Sequence, residues 1–128
     1  MIVIVQLIAA LYGLLAVVFG AFGAHALKKV LSAEQLASFE TGVKYQMYHA
    51  IVLLVLGYNL PFTGAIDQYA AWCFIVGTFL FSFSIYGLCL SRAKGNKLKF
   101  LGPITPLGGL LLVIGWGLLL YRFGYNLV

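Results

Sequence analysis

Charge is scarce in this sequence. Asp and Glu together number 3 and Lys and Arg 8 in 128 residues, so charged residues make up 9% and hydrophobic ones 63%. A typical soluble domain carries about 25% charged residues. The deficit excludes an ordinary soluble domain, because a chain this short leaves a large share of its surface exposed and could not hide so much apolar area from water. Histidine and cysteine are equally sparse. His25 and His49 lack the close spacing of a metal motif, so neither metal nor haem is expected. Cys73 and Cys89 fall in one apolar run, too far apart along a helix to bridge, and neither belongs to a CxxC pair. They read as small buried thiols. No nucleophile–base–orienter set is visible, and the glycines at Gly20 and Gly23 lie inside an apolar run rather than in a phosphate loop. No enzymatic activity and no cofactor is therefore expected. The aromatics sit within apolar runs instead of alternating with bases, which argues against a nucleic-acid partner.

What the sequence does have is four long apolar runs, at about 2–27, 43–60, 69–90 and 103–121. Each reaches or approaches the ~20 residues that carry a helix across a bilayer. Helices are the form that pairs every backbone group within lipid. The expectation is an all-α fold: a single-domain integral membrane four-helix transmembrane bundle. Ala24-His25-Ala26 resembles a cleavage site, but no base precedes the first run and the run exceeds the usual signal core of about 7–15 residues, so it reads as a retained span. Seven of the eight bases (Lys28, Lys29, Lys44, Arg92, Lys94, Lys97 and Lys99) fall between runs one and two or between three and four. The positive-inside rule makes that side cytoplasmic and places both termini outside, as in a multi-pass protein of the bacterial inner membrane. Arg92, Lys94, Lys97 and Lys99 could also hold anionic lipid headgroups. Membrane lipids are the expected partners, with a second copy or another membrane protein left open.

Small residues recur by threes and fours. Gln6, Ala9, Gly13, Ala16, Gly20 and Gly23 form one stripe of run one; Ala70, Cys73, Gly77, Ser84, Gly87 and Ser91 do so in run three; Gly108, Leu112 and Gly115 make a shorter one in run four. A 3.5-residue period predicts near-parallel, left-handed helix packing. Small residues let helices approach closely in lipid. Gln6, on the inner stripe, should bond a neighbouring helix. Ser32 with Gln35 fits a capping box, so a short amphipathic helix is predicted at about 32–42 on the interface, with Gly42 a plausible bend before the second span. Glu40 and Lys44 have the favourable i,i+4 order.

Polar residues within spans call for a functional hypothesis. Here they gather at one end of runs one and two, and the predicted pocket is bounded by His25, Glu40, Lys44, Tyr45, Gln46, His49 and Thr105. Two function classes compete. In one, the cluster joins helices by hydrogen bonds in a structural or accessory membrane protein that acts through lipid or partner association. In the other, it forms a small-molecule binder or transporter for a lipid, quinone or metal. Proton-coupled export is disfavoured because Glu34, Glu40 and Asp67 all read as interfacial, leaving no acid deep in a span.

Several segments carry a resemblance: Gly20-Ala-Phe-Gly-Ala-His-Ala-Leu-Lys28, Glu40-Thr-Gly-Val-Lys-Tyr-Gln-Met-Tyr-His49, Phe83-Ser-Ile-Tyr86, and Gly102-Pro-Ile-Thr-Pro-Leu-Gly-Gly109 with Gly115-Trp116. Together the chain resembles, over essentially its whole length, the small bacterial inner-membrane family typified by YgdD and YwdK, which also has a eukaryotic relative. The resemblance implies four transmembrane helices and no known function, and the family's recurrent polar positions coincide with His25, Glu40, Tyr45, Gln46 and His49. Thr105-Pro106 at the start of run four suggests that Thr105 caps that helix, its N-terminus facing the cluster.

Overall fold

The computed structural model describes residues 1–96 and 98–127. Lys97, one of the four expected headgroup bases, lies outside them. The described residues are all-helical, with no strand among them. Four long helices follow in order: α1 (Ile2–Leu27), α2 (Ala33–Asn59), α3 (Ala65–Ala93) and α4 (Ile104–Gly124). Two of them depart from α geometry for about one turn, at Val18–Gly23 in α1 and Phe79–Phe83 in α3, where the chain is π-helical. Three helical stretches are long and apolar enough to cross a membrane: Ile2–Leu27, Ala65–Ala93 and Lys99–Leu127. The α2 helix is not among them, because its first seventeen residues carry Glu34, Glu40, Lys44, Gln46 and His49.

The Ser32–Gln35 capping box opens α2: Ser32 Oγ accepts the Gln35 amide at 3.2 Å and Gln35 Oε1 accepts the Ser32 amide at 3.0 Å. The helix then runs unbroken through Gly42, so the expected bend is absent. The reason is packing. A Cβ on Gly42 would come within 2.9 Å of the Tyr86 ring, so the missing side chain admits α3. That approach lets Ser82 Oγ donate to the Gly42 carbonyl at 2.7 Å.

Adjacent helices pack as antiparallel hairpins in a common rhythm. In α1 and α2, Gln6 faces Gly57, Gly13 faces Ala50, and Gly20 faces Val43. Each step of seven up α1 is a step of seven back along α2. In α3 and α4, Asp67 faces Arg122, Phe74 faces Gly115, and Phe81 faces Gly108, again at sevens, with Gly77 facing Leu112 and Ser84 facing Thr105 between and beyond them. The heptad spacing of the small-residue stripes is thus the spacing of the contacts they make. Gly108 is the tightest point. A Cβ there would meet the Phe81 backbone nitrogen and fall 2.8 Å from its Cα. The two hairpins join through α2 and α3, while α1 and α4 lie on the outside. The turn between α2 and α3 holds Phe62 at φ 54°, a left-handed conformation retained by burial of its ring.

Gly108→Leu should therefore lower thermal stability in detergent by about 1–3 kcal/mol through overpacking. Gly117→Leu, where an added Cβ meets nothing within 4 Å, should stay within about 0.5 kcal/mol of the parent. Melting curves of the two variants check the contrast.

Candidate functional site

The helix register decides which of the expected site residues meet. His49 of α2 lies level with position 14 of α1, eleven residues from His25, or about 16 Å of helix rise. His25 is exposed at the far end of α1. The seven residues of the expected pocket therefore do not share one cavity. Glu40 and Lys44 are also exposed, and they form no ion pair. Thr105 is not a cap: α4 begins at Ile104 with Pro103 as its N-cap residue and no side-chain cap. Its hydroxyl sits 2.6 Å from Ser84 Oγ, and because Ser84 donates to the Phe81 carbonyl, Thr105 is the donor.

Gln46 and His49 build a different arrangement with residues that sequence reasoning had not singled out. Gln46 is fully buried. Its Nε2 donates to the Tyr12 carbonyl of α1 at 2.9 Å, and its Oε1 accepts the Tyr86 hydroxyl of α3 at 2.7 Å. Tyr12 in turn donates its own hydroxyl to the Ile75 carbonyl of α3 at 2.7 Å. One amide thus links three helices. His49 adds the fourth. Trp116 of α4 can only donate, so its Nε1–H at 3.2 Å makes His49 Nε2 the acceptor, and Nδ1–H donates to the Tyr45 carbonyl at 2.7 Å. The ring is the neutral Nδ1–H tautomer, with both nitrogens engaged. Tyr45 contributes its ring, 4.7 Å from that of Phe81 centre to centre. Phe74 lies beneath, 5.6 Å from His49 and 5.4 Å from Trp116.

These groups form a polar layer in which each buried polar atom has at least one partner, most of them on another helix. Gln6 behaves as its stripe position suggested, donating to the Gly57 carbonyl at 3.1 Å. Among the described residues, Thr78 Oγ1 is the one buried side-chain polar atom without a partner. At the opposite end, Asp67 is buried and accepts Arg122 Nε at 3.0 Å, the one ion pair among the described residues. Their signal in the sequence was the isolation of two opposite charges at the start of run three and the end of run four, which an antiparallel hairpin brings level.

The three described loop bases separate. Arg92 lies on the rim of a groove of about 350 Å³, between the first turns of α2, the last turns of α3 and the start of α4, and Thr105 also faces it. Lys94 lies beside a neighbouring depression with Ser91 and Asn96. Lys99 is exposed.

The polar layer makes opposite predictions for satisfied and orphaned groups. Gln46→Leu leaves the buried Tyr86 hydroxyl without its acceptor and removes the bond from α2 to the Tyr12 carbonyl, and should cost about 1–3 kcal/mol. Thr78→Val keeps the shape and removes an unpaired hydroxyl, so it should be neutral or stabilising by up to about 1 kcal/mol. Thermal or denaturant unfolding of the purified variants separates the two signs.

Comparison with known proteins places the chain among relatives. The family described as "Protein of unknown function (DUF423)" matches residues 19–109. A UPF0382 membrane protein of Staphylococcus aureus (strain bovine RF122 / ET3-1) is 40% identical over 114 residues, covering 89% of each chain. One from Schizosaccharomyces pombe is 41% identical over 115 residues, covering 88% of this chain and 95% of the relative. The UPF0382 membrane protein YwdK of Bacillus subtilis is 39% identical over 113 residues, covering 86% and 87%. No solved structure matches. With a family match across most of its length and relatives of this similarity over most of each chain, the chain belongs to the UPF0382 membrane proteins, the DUF423 family of unknown function.

Proposed function

We propose that this membrane protein crosses the bilayer four times and serves a structural or accessory role, through association with lipids or a membrane partner. The observation that carries the reading is the interhelical polar layer: Gln46, His49, Tyr12, Tyr86 and Trp116 bind helices to one another. A transporter or an enzyme needs polar groups free to meet a substrate, and these are engaged.

The fourth crossing is α2. It is too polar to be recognised by apolarity, yet it lies against α1 from Gln6 to Gly23 and against α3 along its other side. Its 27 residues span about 40 Å, while a hydrocarbon core needs only ~30 Å. The surplus falls at Ala33–Phe39, the amphipathic first turns, which then sit at the interface. Gln46 and His49 cross without cost to lipid because their partners are internal. Lys44, exposed near the boundary, extends its chain toward the headgroups. Both base-bearing junctions fall at one end of the bundle, where Cys89 of α3 meets the Gln35 carbonyl of α2. In a bacterial inner membrane the positive-inside rule makes this end cytoplasmic and leaves both termini outside.

Single-cysteine labelling tests this topology in a Cys73→Ala, Cys89→Ala background. Thr63→Cys and Asn126→Cys variants should react with an impermeant maleimide on intact cells, and Ser32→Cys only after lysis. Labelling of Ser32→Cys on intact cells, or of Thr63→Cys and Asn126→Cys from opposite sides, would sink the four-span arrangement.

A further inference from the structure

We propose that the groove rimmed by Arg92 is a binding site for the phosphate-bearing headgroup of an anionic membrane lipid. The inference rests on the four-span reading above and gives it a specific ligand site. The groove exists because the backbones of α2 and α4 flank α3 without packing against each other. Farther from the basic end, aromatic rings fill the space between them: Phe81 of α3 lies between Tyr45 of α2 and Gly109 of α4, and Trp116 reaches His49. Beyond Phe81 the filling stops, and a cavity of about 350 Å³ remains.

The chemistry of its walls is that of a lipid headgroup level. The side of α2 contributes Gln35, Ser38 and Thr41; α4 contributes Thr105; α3 contributes Leu88 and Arg92 at the mouth. Gln35 and Ser38 belong to the turns that overhang the hydrocarbon core, and Thr41 lies just inside them. Gln35, Ser38 and Leu88 line the outer part with Arg92, and Thr41, Ile85 and Thr105 line the inner part. Ser38 and Arg92 are exposed, and Arg92 has no ion pair among the described residues. Among the described residues no carboxylate lines the cavity; Glu34 lies a turn beyond Ser38 on α2. An Arg guanidinium presents a planar fork of donors suited to phosphate oxygens. Lys94 and Lys99 nearby raise the local concentration of anionic lipid without lining the groove. The match is one of charge and of hydrogen-bonding groups: a cation, a hydroxyl and an amide at the outer end of the groove, with two further hydroxyls deeper in it.

The test is a titration of the purified protein in neutral detergent with dioleoyl phosphatidylglycerol, read as thermal stabilisation. Dioleoyl phosphatidylcholine and soluble glycerol 3-phosphate are the comparison arms. The proposal expects saturable stabilisation by phosphatidylglycerol, with little from the other two. Arg92→Gln should raise the midpoint about tenfold or more. Lys94→Gln should raise it no more than about fivefold, the worth of one base near an anionic surface. Ser38→Trp fills the groove without changing charge, and its exposed parent residue makes no hydrogen bond that folding would miss, so the variant should melt normally and lose the effect. Equal effects of Arg92→Gln and Lys94→Gln, or an unchanged midpoint in Ser38→Trp, would mean a diffuse basic surface and overturn the site. Equal stabilisation by phosphatidylcholine would overturn the anionic preference. Saturation by glycerol 3-phosphate alone would overturn the lipid as its source. A failure of the four-span reading would be seen in the maleimide labelling, which this titration does not read.

Discussion

Within a bilayer an apolar side chain gains nothing from water exclusion when it leaves lipid for a neighbouring helix. Association must come from close packing and from hydrogen bonds across the contact. In this protein both depend on how near the backbones come. Gly108 lets the α4 backbone reach that of Phe81, and Gly42 lets α3 approach until Ser82 reaches a carbonyl of α2. The heptad alignment of α1 with α2 and of α3 with α4 repeats these approaches along each pair. The polar layer follows from that alignment, since Gln46 can reach both Tyr12 and Tyr86 only if its helix is held tightly between α1 and α3.

The same alignment separates what the sequence placed together. His25 and His49 share one end of the chain's polar content, but antiparallel packing sets them about 16 Å apart along the axis. Thr105 moves to the level of Ser84 and Thr41 rather than of His49. The expected pocket resolves into two features: an engaged layer inside the bundle and a groove at its basic end. The first holds the helices together. The second has free capacity, in Arg92 and Ser38.

Much of the fold was legible from residue spacing. The stripes of small residues mark the packed faces of α1, α3 and α4, the Ser32–Gln35 pair marks the start of α2, and Gln6 was readable as an interhelical donor. Periodicity identifies a face but not the partner opposite it. That is why Trp116 as the partner of His49, and Arg122 as the partner of Asp67, could not be read: each pair is more than fifty residues apart and is brought level by the hairpin register. The π-helical turns at Val18–Gly23 and Phe79–Phe83 left no mark in composition either. They change the helical phase locally, and Phe19 and Phe83, one from each, meet edge to face at 6.3 Å. Gly42 illustrates the same limit. As a glycine it suggested a bend; in place it is a point of close approach.

The central claim is that the polar residues of α2 are engaged in holding helices together. The most direct measurement is the ¹⁵N chemical shift pair of the His49 ring in lipid, recorded for the parent and for Trp116→Phe. The account predicts a protonated Nδ1 and an unprotonated, hydrogen-bonded Nε2 in the parent, with the Nε2 resonance moving when Trp116 is replaced. A ring protonated at Nε2, or one whose shifts do not respond to loss of the indole, would contradict it.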